Sequence, residues 1–226
     1  MKPDIWVYDL PRGTLTRLTF QGFNLGPVWT PDGKRVTFVN VDAGKNSLAW
    51  VLADGSGPPE TLAVVEGQPT SWSPDGKLLA FDGGPRGQND IMLLPRPDGP
   101  PAGPTGRPAA RPFLKTQHDE QTAMFSPDGR WIAYLSRESG DSQVYVRPAA
   151  AGPGGASGGR WQVSTGGGFS PRWARGGGIW YRDPDLLPHH VGMLAPVQRS
   201  LETQGAQSPN ELFPGDRPKL SLAKLS

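Results

Sequence analysis

Cysteine is absent from the 226 residues, which excludes disulfides, thiol nucleophiles and cysteine-ligated metals while leaving the compartment open. An excess of one charge is absent too: 23 Lys and Arg stand against 21 Asp and Glu, a formal net charge of +2. There is no basic run with interleaved aromatics, the pattern a nucleic-acid groove requires, so no nucleic-acid partner is expected. No stretch approaches the roughly 20 apolar residues of a membrane-spanning helix. Met1-Lys2-Pro3 runs almost directly into a strand-like segment, with no apolar leader. The chain therefore reads as cytoplasmic if Met1 is the true start. It reads as periplasmic or otherwise extracytoplasmic if it is part of a longer secreted or membrane-anchored protein. Histidine is scarce, with three residues, two of them adjacent.

What the chain has in excess is turn chemistry. Its 31 glycines and 26 prolines make up about a quarter of the residues, and many fall at matching positions between strand-like runs. Trp29-Thr30-Pro31-Asp32-Gly33 leads into Arg35-Val36-Thr37-Phe38, and Trp72-Ser73-Pro74-Asp75-Gly76 leads into Leu78-Leu79-Ala80-Phe81. Phe125-Ser126-Pro127-Asp128-Gly129 leads into Trp131-Ile132-Ala133-Tyr134, and a worn fourth copy reads Trp173-Ala174-Arg175-Gly176-Gly177 before Ile179-Trp180-Tyr181. The four anchoring aromatics stand 43, 53 and 48 residues apart. A repeat of this length, made of short strands and turns, predicts an all-β fold, a β-propeller of four-stranded antiparallel blades. Proline presets φ in each turn, Asp bonds the amides ahead of it, and Gly accepts φ > 0. These nine residues are read as structural.

Within a repeat, the strand after the turn alternates with period two, so Val36/Phe38, Leu79/Phe81, Ile132/Tyr134 and Ile179/Tyr181 each share one face. A third strand follows (Ile5 to Tyr8, Leu48 to Val51, Ile91 to Leu94, Val144 to Val146), then a short fourth with polar flanks. The eight tryptophans are mostly read as core. The chain opens on what reads as strands three and four of a blade. The prediction is one partial propeller of about four and a half blades over 1–226: a half-blade at 4–20, blades near 27–65, 69–116, 121–165 and 170–214, and a tail at 215–226. The rival is a closed four-bladed ring, which requires contact between the strands at 4–20 and those after 178. Arg96 to Arg111 and Ala149 to Gly159 are Pro/Gly/Ala-rich and read as loops.

The aromatic-Ser/Thr-Pro-Asp-Gly repeat resembles the TolB-like bacterial β-propellers, from about Asp4 to Tyr181. The resemblance implies the propeller fold and no particular activity. Similar propellers occur alone in the bacterial periplasm, behind peptidase domains, or on membrane-anchored serine/threonine kinases.

No set of residues assembles a reaction. Gly155-Ala156-Ser157-Gly158-Gly159 fits the G-x-S-x-G pattern of hydrolases but sits in a glycine-rich loop with no helix signal behind it. His189 and His190, with Asp183 and Asp185 upstream, lack metal-ligand spacing, because adjacent residues on a strand face opposite ways. Asp32, Asp75 and Asp128 suggest a carboxylate ring, but local turn bonding consumes such side chains, and the fourth copy carries Arg175 in its turn instead. No catalytic residue, metal or cofactor is therefore assigned. His118-Asp119-Glu120 and Arg137-Glu138, in loops between strands, are the candidates for partner contact. The expected function is a non-enzymatic scaffold that binds a protein or peptide, with self-association through unpaired blade faces as a further possibility. The alternatives are the propeller module of a larger peptidase or membrane-anchored serine/threonine kinase, and a carbohydrate-active propeller enzyme.

Overall fold

A computed structural model describes residues 2–85, 87–97, 109–150, 159–175, 177–184 and 192–196. The Gly-Ala-Ser-Gly motif at 155–158, Asp185 and the histidine pair lie outside the described residues. All seventeen elements among the described residues are strands. β1 (Trp6–Asp9) and β2 (Thr14–Arg17) form a two-stranded sheet. Three four-stranded antiparallel sheets follow. The first comprises β3 (Phe23–Trp29), β4 (Arg35–Asp42), β5 (Lys45–Leu52) and β6 (Glu60–Ala63). The second comprises β7 (Gly67–Trp72), β8 (Leu78–Gly83), β9 (Asp90–Pro95) and β10 (Arg111–Leu114). The third comprises β11 (Glu120–Phe125), β12 (Trp131–Ser136), β13 (Gln143–Pro148) and β14 (Trp161–Gln162). The last sheet shows three strands, β15 (Phe169–Trp173), β16 (Gly178–Arg182) and β17 (Gly192–Pro196). This is a partial β-propeller. Among the described residues, no helix is long and apolar enough to cross a membrane.

The tight turn of each repeat is closed by its own residues. The amides of Thr30, Ser73 and Ser126 donate to the carbonyls of Arg35, Leu78 and Trp131 at 2.8–2.9 Å. Gly33, Gly76 and Gly129, at φ of +66°, +70° and +72°, donate back to Thr30, Ser73 and Ser126. The hydroxyls of Thr30, Ser73 and Ser126 donate to Asp32, Asp75 and Asp128, whose Oδ1 atoms also accept the amide two residues on. The fourth turn is one residue shorter but keeps the same two backbone bonds, from Ala174 to Gly178 and from Gly177 to Ala174.

Packing follows the period-two pattern. Val36 and Phe38 face the β1–β2 hairpin with Ile5 and Leu18, and Leu79 and Phe81 face β5 through Leu48 and Trp50. Ile132 and Tyr134 face Ile91 and Leu93, and Ile179 faces Val144 and Val146. Each second strand thus lays its apolar face on the preceding sheet, and each fully buried aliphatic or Phe side chain contributes roughly 1.5–3 kcal/mol. Four such clusters run through the chain in order. No cluster among the described residues joins the hairpin to the last sheet.

The anchoring aromatics obey the same rule. Trp72 is 6 % exposed, stacked 6.2 Å from Trp50 and donating Nε1–H to Thr37 Oγ1 at 3.1 Å. Phe125 is buried against the second sheet, and Trp173 donates its indole N–H to the Met124 carbonyl at 2.9 Å. Trp29 is 50 % exposed, because the sheet before it shows two strands among the described residues, against the four strands of the sheet on which Trp72 rests. The expectation of a tryptophan core is corrected at three positions, since Trp6, Trp29 and Trp180 are all exposed.

Candidate functional site

In a four-stranded antiparallel sheet, strand one starts where strand two ends, where strand three starts and where strand four ends. The segments linking one sheet to the next therefore gather at one end of the molecule with the turns between second and third strands. The Pro-Asp-Gly turns lie at the opposite end. Both loop candidates, His118-Asp119-Glu120 at the start of β11 and Arg137-Glu138 after β12, belong to the linker end.

A cleft of about 530 Å³ opens at that end between the third and fourth sheets. One wall is the turn after β12, with Arg137, Asp141, Ser142 and Gln143, and the other is the segment Thr165 to Phe169, with Pro184 beside it. Gln143 anchors the two walls to each other. Its Oε1 accepts the Ser164 hydroxyl at 2.6 Å and the Gly167 amide at 3.2 Å. The Gly168 amide adds a bond to the Ser142 carbonyl at 2.9 Å. The exposed Arg137 donates from Nε to Ser142 Oγ at 3.3 Å. The cleft thus combines a cation, a carboxylate, small polar groups and the Phe169 ring.

Of the five candidate residues, Arg137 alone lines this cleft. Glu138 pairs with Arg160, and His118 is exposed on the linker, its amide held by Thr116 Oγ1 at 2.9 Å. Asp119 and Glu120 are 6 % and 1 % exposed, which removes them from any contact surface. Asp119 accepts the amide and the side chain of Asn89 at 3.0 and 2.7 Å, and Gln121 Nε2 at 2.8 Å. Burial works against its charge, but these donors outweigh it and hold the carboxyl below its ordinary range. Glu120 accepts Thr116 and Ser136 hydroxyls on Oε1, and burial pushes its carboxyl up. Both residues brace the linker against the second sheet, where the Glu120 amide donates to Asn89 O at 2.9 Å.

Asp82, next to last in β8, carries a similar role that its sequence context did not reveal. Both of its oxygens accept the Thr122 amide, at 2.9 and 3.1 Å, across the boundary between second and third sheets. Thr122 sits at a bulge in β11 with φ of +55°. Burial, with Asp119 nearby, pushes the Asp82 carboxyl up to about 7, against the pull of the Thr122 amide. A carboxyl titrating near neutrality is a common mark of a reactive site, but here both oxygens are held by a backbone donor and the group acts as a staple. Among the described residues, no group of three or more His, Asp or Glu is placed to hold a metal.

Gln143, Phe169 and the Thr165–Gly167 wall escaped the sequence reading. The glycine run at 166–168 before the fourth repeat was the available signal, because a backbone stripped of side chains admits close approach. The remaining wall residues are ordinary strand and loop types that only the juxtaposition of two sheets makes into a site.

The arrangement defines the chain as a β-propeller with a loop-lined cleft at one end. No known family model matches it. Over 145 residues, 62% of the chain, it is 30% identical to the TolB homologue of Chlorobium luteolum, and it spans 30% of that protein's length. Among solved structures it superposes on the putative TolB from Agrobacterium tumefaciens with a TM-score of 0.61 at 21% identity, covering 77% of this chain and 61% of that one. TolB from Acinetobacter baumannii gives 0.58 at 18% identity, with 84% and 47% covered. At such identities the structures speak for the fold alone. The chain thus shares the propeller fold of these structures and is similar in sequence to the Chlorobium TolB homologue.

Proposed function

We propose that the chain is a non-enzymatic propeller module that binds a protein or peptide in the cleft between the third and fourth sheets. The observation that carries this reading is the cleft itself, built from loops of two different sheets and presenting Arg137, Asp141 and Phe169 together. An extended peptide offers the matching partners: backbone carbonyls or an acidic group for Arg137, amides for Asp141, and an apolar side chain for Phe169. The scaffold beneath is rigid, since Gln143 and Ser164 tie the walls through buried hydrogen bonds, so little ordering cost is added on binding.

The test is selection of binders from a displayed peptide library on the full chain, followed by affinity measurements on Arg137→Glu and Phe169→Ala. Each variant is expected to weaken the selected peptides more than about tenfold, the cost of losing a central anchor. Mass spectrometry of the peptides after prolonged incubation should return them intact. Peptides that bind both variants as well as the parent would move the site elsewhere, and cleaved peptides would make the protein an enzyme.

A further inference from the structure

The turn between β12 and β13 carries both signs of charge into the cleft. Its shape is fixed from within. Gly140, at φ of +94°, donates its amide to the Arg137 carbonyl at 3.0 Å, and the Ser139 hydroxyl donates to the Asp141 carbonyl at 3.2 Å. Arg137 is held through Nε by Ser142 Oγ, and its two terminal amino groups make no hydrogen bond or ion pair among the described residues. Its field reaches Asp119 and helps to keep that carboxyl low, but the Asp119 oxygens are occupied by Asn89 and Gln121. The Asp141 carboxylate, exposed on the same turn, likewise makes no ion pair or hydrogen bond among the described residues. Arg137 and Asp141 thus stand four residues apart without neutralising each other. The β1–β2 turn, by contrast, closes its own pair, Arg12 to Asp9 at 3.0 Å. Glu138, between the two cleft charges, is spent on Arg160.

Across the cleft, Phe169 presents a half-buried ring from the start of β15. An extended segment alternates its side chains with period two, so residues on either side of a given one face the opposite wall from it. On the reading of the cleft as a peptide site, we propose that it selects a segment in which an acidic and a basic residue flank an apolar one. The acid pairs with Arg137, the base pairs with Asp141, and the apolar side chain between them lies on Phe169. A neutral segment covers both turn charges and pairs neither, and a segment of one sign pairs one and repels the other. Exposed ion pairs contribute little each, so these two set the preference among peptides while the ring and the backbone supply most of the affinity.

The test titrates synthetic peptides, blocked at both ends, into the isotope-labelled full chain and follows its amide chemical shifts. The central triplets, between glycine–serine flanks, are Glu-Leu-Lys, Glu-Leu-Glu, Lys-Leu-Lys and Gln-Leu-Gln. Glu-Leu-Lys should shift the amides of Arg137 to Gln143 and of Thr165 to Phe169. It should bind more than about threefold tighter than each of the others, the yield of two exposed ion pairs, and added salt should shrink that advantage. Arg137→Glu makes the wall doubly acidic and should turn the preference to Lys-Leu-Lys. Asp141→Lys makes it doubly basic and should turn it to Glu-Leu-Glu. Both side chains are exposed, so circular dichroism should show parent-like folds, and a merely structural role would not invert the ranking. If Gln-Leu-Gln binds in the cleft as tightly as Glu-Leu-Lys and Phe169→Ala weakens both, the charge selection is overturned and the peptide site stands. If none of the four shifts the cleft amides, the charge selection is overturned, and the library selection decides separately on the peptide site.

Discussion

Replacing Asp82 by asparagine tests the inter-sheet staple through its dependence on pH. The side chain keeps its shape and its acceptor oxygen but loses the charge. In the folded protein burial raises the Asp82 carboxyl from 3.8 to about 7. Below pH 4 the group is protonated in both folded and unfolded states, and its full contribution to stability is present. As pH rises towards 7 the unfolded chain releases the proton while the folded protein holds it, so stability is lost across that window. At about 1.4 kcal/mol per unit, the shift corresponds to a ceiling of about 4 kcal/mol. Asp82 is only half-buried, and solvent screening brings the expected loss nearer to about 2 kcal/mol. Urea unfolding followed by tryptophan fluorescence should give Asp82→Asn and the parent similar stability at pH 4. At pH 8 the variant should be the more stable by about 2 kcal/mol. The difference between the two proteins isolates this carboxyl from every other titrating group. Parallel stability–pH curves for the two would refute the assignment of a raised Asp82.

Two further substitutions probe the second sheet. The Ser71 hydroxyl donates to the Ala123 carbonyl and accepts the Phe125 amide, both at 3.0 Å, so Ser71→Ala strands two buried backbone groups and should cost about 1–3 kcal/mol in urea unfolding. A cost under a few tenths would mean that water replaces the hydroxyl. Gly67 has φ of +156°, and a Cβ there would stand 2.1 Å from the Asp82 carbonyl. Gly67→Ala should therefore lower the melting temperature by several degrees through overpacking of about 1–3 kcal/mol, and an unchanged melting temperature would show that β7 shifts freely.

The exposed aromatics and the buried acids share one explanation. Trp29 and Trp72 occupy the same repeat position within near-identical local sequences, yet one is half in water and the other sealed. The difference lies in the sheet before each. Asp119 and Glu120 read as loop acids facing a partner, yet the linker carrying them is drawn onto Asn89 of the second sheet, where Asp119 accepts from Asn89, while Glu120 Oε1 takes the hydroxyls of Thr116 and Ser136. Repeat position alone predicts neither outcome.

What the residues determined by themselves was local: the strands, their two-fold alternation, the Pro-Asp-Gly turns with their Asp and Gly chemistry, and hence the propeller and its two unlike ends. Those properties arise from φ preferences and from hydrogen bonds spanning two to five residues, which a short stretch of chain carries intact. The tertiary structure alone decided which aromatics are covered, that Asp82 clasps Thr122 across forty residues, and that Arg137 meets Phe169 across a cleft. Burial, desolvation and concavity are properties of the neighbouring sheet, and no residue encodes its neighbour across a boundary as it encodes its own turn.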